Sequence, residues 1–263
     1  MGIYADRGIS LNKLPSLYQT YKKSFSLFFK TYFEVVPFLI LNALAVVLIT
    51  RLMPDQPIDT TTLSLSNLDL GPYFLKLLIS TAIHDLWFSI IFYLIYRRYT
   101  AEVKSTLQGI YVGVKRFPLV LIAGLLVIIP YLFEVVLIKH LNDTQSILML
   151  LSLLFIAILQ LILVIYTIVY VIRIVAKGDY PVTALMNSAR AIRGHAWYTF
   201  ALVMGYALIF VLFALGLNLA KVPYANIISL ILFGSLYPSI IVVHYDNLER
   251  AAIAQADVKR IEP

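Results

Sequence analysis

The sequence has no cysteine, which excludes a disulfide scaffold, a thiolate metal site and a cysteine nucleophile. Charge is also scarce: Asp, Glu, Lys and Arg together make up 13% of the residues, where a soluble domain carries about a quarter. With 11 Gly and 11 Pro, the chain is neither fibrous nor of low complexity. It holds no HExxH, no Gly-rich phosphate loop ending in Lys-Ser or Lys-Thr, and no GxSxG. His84, His140, His195 and His244 are too scattered for a metal-spaced set. An enzyme is therefore the least supported class, and the expectation is a chain that needs no cofactor and no metal.

What the sequence has in abundance is apolar length. Hydrophobic residues account for 61% of the 263 positions. About 20 apolar residues cross the hydrocarbon core as a helix, and six stretches qualify: 34–52, 74–96, 117–138, 146–172, 197–219 and 223–245. The fold class expected is thus all-α, a single polytopic membrane bundle over 1–263 with a short cytoplasmic tail at 246–263. The fourth stretch exceeds the span length and must tilt or run past the headgroups.

The 21 Lys and Arg distribute unevenly between the two sides of such a bundle. All but Arg51, Lys76, Lys139 and Lys221 fall on the side that holds both termini. The positive-inside rule places that side in the cytoplasm. The same distribution explains the net charge of +7 without nucleic acid, because the bases lie just beyond span ends, beside anionic lipid headgroups. The first 16 residues lack the apolar core of a signal peptide, so the first span is expected to direct insertion.

The cytoplasmic segments carry helical periodicity of their own. Leu14, Leu17, Tyr18, Tyr21, Phe25 and Phe28 recur at spacings of three and four, with Lys22 and Lys23 off that line. Leu107, Ile110, Tyr111 and Val114 repeat the pattern beside Lys104 and Lys115. A third segment opens with Asp179 as an N-cap and Pro181 in the first turn, then places Arg190 and Arg193 away from Leu185, Ala189 and Ile192. Three amphipathic helices at the cytoplasmic interface are expected. Lys22, Lys23, Lys104, Lys115, Arg190 and Arg193 are their candidate headgroup-binding residues. Each leads into a span through a basic or polar junction: Lys30-Thr31-Tyr32, Lys115-Arg116-Phe117 and Arg193-Gly194-His195. The chain can be read as three copies of one unit, interfacial helix, span out, turn, span back. Short turns at 139–145 and 220–222 make the flanking spans antiparallel neighbours.

Tyr21-Lys22-Lys23-Ser24-Phe25 and Phe28-Phe29-Lys30 running into the first span resemble the opening of the uncharacterised YciC-type bacterial inner-membrane family. The stretch Ala176-Lys177-Gly178-Asp179, followed by Ala184, Ser188, Ala189, Gly194 and Trp197, resembles it too. That second pattern is also similar to the membrane domain attached to some bacterial glycerophosphodiester phosphodiesterases. The resemblance implies a six-span inner-membrane protein and carries no activity with it.

Ionisable and amide groups inside spans are the candidate site residues, because burying them is costly. Asn42, His84, Asp85, Glu134 and Gln160 form the intramembrane set. Glu34 lies at the start of the first span, one turn from Lys30, and reads as an interfacial ion pair. Asn42 and Gln160 read as interhelical hydrogen-bonding residues. His84 and Asp85 project about 100° apart on one helix and so cannot both face one small site. Ser89 is within reach of Asp85, and Ser80 or Thr81 within reach of His84. They sit either in mid-span, where a proton relay uses such groups, or near the outer headgroups beside Trp87. Glu134 lies one turn beyond Pro130, which suits either a kinked transport site or an outer ion pair with Lys139 and His140. Pro238 is a candidate kink in the sixth span.

Two function classes follow. One is a non-enzymatic envelope protein whose partners are membrane lipids, anionic headgroups above all, or another membrane protein. The other is a small transporter or lipid-moving carrier that uses the intramembrane polar set. Convergence of that set on one cavity would favour the carrier.

Overall fold

The computed structural model describes residues 14–53, 70–101, 105–141 and 147–261. Nearly all of them are helical. The chain opens with α1 (Leu17–Leu52), α2 (Leu70–Tyr99) and α3 (Thr106–Leu141). It continues with α4 (Ile147–Thr167), α5 (Tyr170–Ile172), α6 (Pro181–Ile192), α7 (Ala196–Leu219), α8 (Ala225–Phe233) and α9 (Leu236–Ile261).

Six stretches are long and apolar enough to cross a membrane: Leu17–Leu52, Leu70–Tyr99, Thr106–Phe133, Leu151–Lys177, Ala196–Leu219 and Ala225–Ala254. The outer surface of the bundle is apolar as well, with Phe33, Leu48, Phe155 and Val211 among its exposed side chains. An apolar belt over helices of spanning length suits contact with lipid. This is a multi-pass integral membrane protein, built as an all-α bundle.

Two of the three expected surface helices are not separate elements. At 1.5 Å per residue, the 36 residues of α1 extend about 54 Å, well beyond a hydrocarbon core of about 30 Å. The amphipathic stretch around Tyr21 forms its opening turns. Ser16 caps it: Gln19 N donates to Ser16 Oγ at 3.2 Å, and Ser16 N donates to Gln19 Oε1 at 3.3 Å. The stretch around Tyr111 likewise runs straight into α3. The physical reason lies in the junctions. Neither Lys30-Thr31-Tyr32 nor Lys115-Arg116-Phe117 contains a residue that accepts positive φ, whereas Gly194 turns the third junction with φ 89°. Only α6 therefore separates from the span it precedes. Asp179 does not cap α6; Tyr180 holds that position, and the Asp179 carboxylate accepts from Arg173 Nε at 2.8 Å and Asn187 Nδ2 at 3.1 Å.

The fourth and sixth spans are interrupted. In the fourth, α4 stops at Thr167, and α5 restarts at Tyr170 and passes through a π-helical turn, Arg173–Lys177. Gly178 ends that turn at φ 79°. The fourth stretch, expected to tilt or run past the headgroups, is thus two helical segments rather than one. In the sixth, Gly234 and Ser235 separate α8 from α9. Pro238 lacks the N–H that would bond the Gly234 carbonyl, so the break falls one turn before the proline.

The core is centred on α2 and α9. Residues 90–95 of α2 are buried without interruption, as are 238–245 of α9, so both helices are surrounded on every face. α2 packs closely on α3 because Gly109 and Gly113 present no side chain: a Cβ on Gly113 would lie 2.6 Å from Ile90 Cα. Ser89 Oγ donates across this contact to the Gly113 carbonyl at 3.0 Å.

Candidate functional site

The described members of the intramembrane polar set make separate contacts. Asn42 is buried on α1, and its Oδ1 has no hydrogen-bond partner among the described residues. Gln160 makes an interhelical bond: its Nε2 donates to the Val127 carbonyl of α3 at 3.2 Å, while Oε1 has no partner among the described residues. His84 is exposed on the side of α2 and stacks on Phe88 with ring centroids 4.0 Å apart, rather than bonding Ser80 or Thr81. The side chain of Glu134 lies outside the described residues.

Asp85 points inward. It is 8% exposed, and its Oδ2 is buried with no hydrogen-bond partner among the described residues. Ser89 does not serve it, because Ser89 Oγ bonds the carbonyls of Leu86 and Gly113 instead. The carboxyl lies against the bare backbone of Gly124: a methyl group there would stand 2.7 Å from Asp85 Oδ2 and 3.3 Å from the Tyr170 hydroxyl. Neither Gly124 nor Tyr170 stood out in the sequence as a site residue. The phenol is the first residue after the break in the fourth span, a break that no glycine or proline announces.

A second polar cluster joins α1, α7 and α9. His244 is fully buried, and its Nε2 lies 2.9 Å from Thr199 Oγ1. Its ring packs on Tyr198 at 5.6 Å, and its Nδ1 has no partner among the described residues. The Tyr198 hydroxyl bonds Thr20 Oγ1 at 2.7 Å, which also accepts from Asn247 Nδ2 at 3.2 Å. The sequence reading passed over His244 because its partners lie on other helices.

At the end of the bundle that carries the basic junctions, each described acid has found a base. Arg97 Nη2 donates to Glu34 Oε1 at 2.5 Å, so Arg97 rather than Lys30 is the partner of Glu34. Asp246 Oδ2 takes Arg250 Nε at 3.0 Å, Lys23 Nζ at 3.5 Å and the Tyr99 hydroxyl at 2.5 Å. Lys177 Nζ lies 3.2 Å from Glu249 Oε2, and the Tyr245 hydroxyl donates to the other oxygen of that carboxylate. Asp179 pairs with Arg173. These bonds tie α1, α2, α6 and α9 to the π-helical turn.

The headgroup candidates divide accordingly. Lys23 is engaged by Asp246 and lies over the Tyr99 ring at 4.6 Å. Lys22, Lys115, Arg190 and Arg193 are exposed with no acidic partner among the described residues. Lys104 lies outside the described residues. Exposed aromatics accompany them: Tyr18, Tyr111 below Lys115, Tyr180, and Trp197 at 83% exposure. A cleft of about 640 Å³ opens at the start of α7, lined by Leu14, Tyr166, His195, Trp197 and Tyr198 among others. Its size falls within the range of small-ligand sites, about 300–1,000 Å³. Among the described residues, no three His, Asp or Glu side chains gather where a metal ion would fit.

Neither the family models nor the curated proteins nor the solved structures contain a match to this chain.

Proposed function

We propose that this is a non-enzymatic protein of the bacterial inner membrane, with both termini in the cytoplasm, that engages anionic lipid headgroups through the basic, aromatic end of its bundle. The carrying observation is the division of charge at that end. Glu34, Asp179, Asp246 and Glu249 are matched by Arg97, Arg173, Arg250, Lys23 and Lys177. Lys22, Lys115, Arg190 and Arg193 are left facing outward. Bases near a membrane surface gain about 1 kcal/mol each from anionic lipid. Aromatic side chains such as Trp197 and Tyr180 suit headgroup depth. The YciC-type likeness of the first helix and of the stretch around Gly178 supports the inner membrane as the setting.

The test uses the full chain in nanodiscs, comparing spin-labelled phosphatidylglycerol with phosphatidylcholine at the protein boundary. The expected result is preferential immobilisation of the anionic lipid, reduced severalfold in Lys22→Gln/Lys115→Gln/Arg190→Gln/Arg193→Gln and by added salt. Equal immobilisation of both lipids by the native chain overturns the reading. So does an unchanged preference in the four-site variant.

A further inference from the structure

Asp85 differs from the described acids at the basic end, each of which is paired. It is buried in the span, and among the described residues its Oδ2 has no hydrogen-bond partner and no lysine or arginine forms an ion pair with it. An ionised carboxylate in such a place, without counter-charge or donor, is strongly disfavoured, whereas the neutral acid is tolerated.

The surroundings supply the rest. On α3, Gly124 leaves the space that the carboxyl fills. From α5, the Tyr170 hydroxyl approaches the same spot, placed there by the interruption after Thr167. From α9, Tyr237 stands two residues beyond the second interruption and packs on Phe88, Phe92 and Tyr206. Among the described residues, the titratable groups on the elements packed here are Tyr170 beside the carboxyl and, against Phe88 one turn on, Tyr237 with Tyr206 behind it. His84 follows on α2 itself, with its ring turned onto Phe88. Tyrosines and an outward-facing histidine provide no fixed positive charge. Two broken helices flank one unpaired carboxyl, an arrangement in which backbone movement changes what the carboxyl meets.

We propose that Asp85 is an intramembrane proton-binding site. The carboxylate takes one proton from water to become the neutral acid held in the packed bundle. On release, that proton returns to water, and the Tyr170 O–H stays intact and turns to donate a hydrogen bond to the carboxylate. No other bond forms or breaks and nothing is oxidised. This site stands apart from the headgroup-binding end and does not depend on it.

The test is covalent labelling of the full chain in liposomes with dicyclohexylcarbodiimide. This apolar reagent adds to a protonated carboxyl in apolar surroundings and rearranges to a stable N-acylurea. The product is located by mass spectrometry of the peptide containing Asp85. The expected result is modification of Asp85 at a rate that falls about tenfold per pH unit above a midpoint, as a single protonated site requires. Tyr170→Phe, which removes the hydroxyl and keeps the ring, shifts the midpoint to higher pH. Asp85→Asn is unmodified; if that variant does not fold, the native chain and Tyr170→Phe carry the test. An unlabelled Asp85 at every pH overturns the proposal, as does labelling indifferent to pH. Protection by sodium at constant pH also overturns it, since it makes the ligand a metal cation. An unmoved midpoint in Tyr170→Phe overturns the role given to the hydroxyl.

Discussion

Arg97 Nη2 donates to Glu34 Oε1 at 2.5 Å, and the same guanidinium donates through Nη1 to the Ser105 carbonyl at 2.6 Å. One side chain thus joins α1, the end of α2 and the start of α3. Its own side chain is 7% exposed and that of Glu34 is 20%. Removing one member of a buried pair leaves the other desolvated and uncompensated, at about 3–5 kcal/mol. Glu34→Ala is expected at the lower end, about 3 kcal/mol, because the carboxylate keeps some contact with the surface. Lys23, with a side chain 46% exposed, pairs with Asp246 at 3.5 Å and belongs to another regime. Lys23→Gln should cost under about 1 kcal/mol. Unfolding in detergent with increasing denaturant measures both, and similar losses would refute the distinction.

Glycine substitutions test the packing of α2 on α3. A Cβ at Gly113 meets the Ile90 backbone at 2.6 Å, which cannot yield without moving a helix. A Cβ at Gly124 meets the Asp85 carboxyl and the Tyr170 hydroxyl, which are side-chain ends and can turn aside. A Cβ at Gly216 meets nothing within 4 Å. Gly113→Ala should therefore destabilise most, Gly124→Ala less, and Gly216→Ala should be neutral or gain up to about 1 kcal/mol from helix propensity. Melting temperatures of the three purified variants give the order directly. A Gly216→Ala loss as large as that of Gly113→Ala would contradict it.

These two contacts mark what the sequence discloses and what it hides. Span count and the class of the bundle follow from runs of apolar residues, because each crossing must satisfy its backbone within one helix. The basic end was legible for the same reason, since charge has to leave the hydrocarbon. Pairing was not. Glu34 has Lys30 one turn away in sequence, yet Arg97 on another helix takes it, because crossing geometry rather than local spacing decides partners. Gly109 and Gly113 form the spacing that permits close helix approach, but so do Gly216 and Ala220, and among the described residues the first pair meets a neighbouring helix while Gly216 does not. The fourth span breaks at Ile168–Val169, residues with ordinary helical tolerance, so the position of Tyr170 beside Asp85 had no local signal.

The His244 cluster gives a third measurement. Thr199 Oγ1 serves the buried His244 Nε2 at 2.9 Å, and His244 Nδ1 already lacks a partner. Thr199→Val keeps the shape and removes the hydroxyl, leaving both ring nitrogens unsatisfied, at about 1–3 kcal/mol. Thr199→Ser retains the hydroxyl and should recover most of that loss. Chemical denaturation of the two variants in the same detergent separates hydroxyl from shape. Equal destabilisation by Val and Ser would show that the methyl group matters as much as the hydroxyl and refute a loss carried by the hydroxyl alone.

The absence of cysteine makes orientation directly measurable, because a single introduced thiol is the only one present. Ala220 lies in the exposed turn between α7 and α8, and Met186 is exposed on α6 at the opposite end of α7. Neither is basic, so replacing them leaves the charge distribution that sets topology untouched. With the termini in the cytoplasm, Ala220→Cys should react with a membrane-impermeant maleimide added outside intact cells. Met186→Cys should react only after the membrane is opened. The reverse pattern would place the basic junctions outside. It would also remove the cytoplasmic leaflet as the source of the anionic headgroups that Lys22, Lys115, Arg190 and Arg193 are proposed to meet.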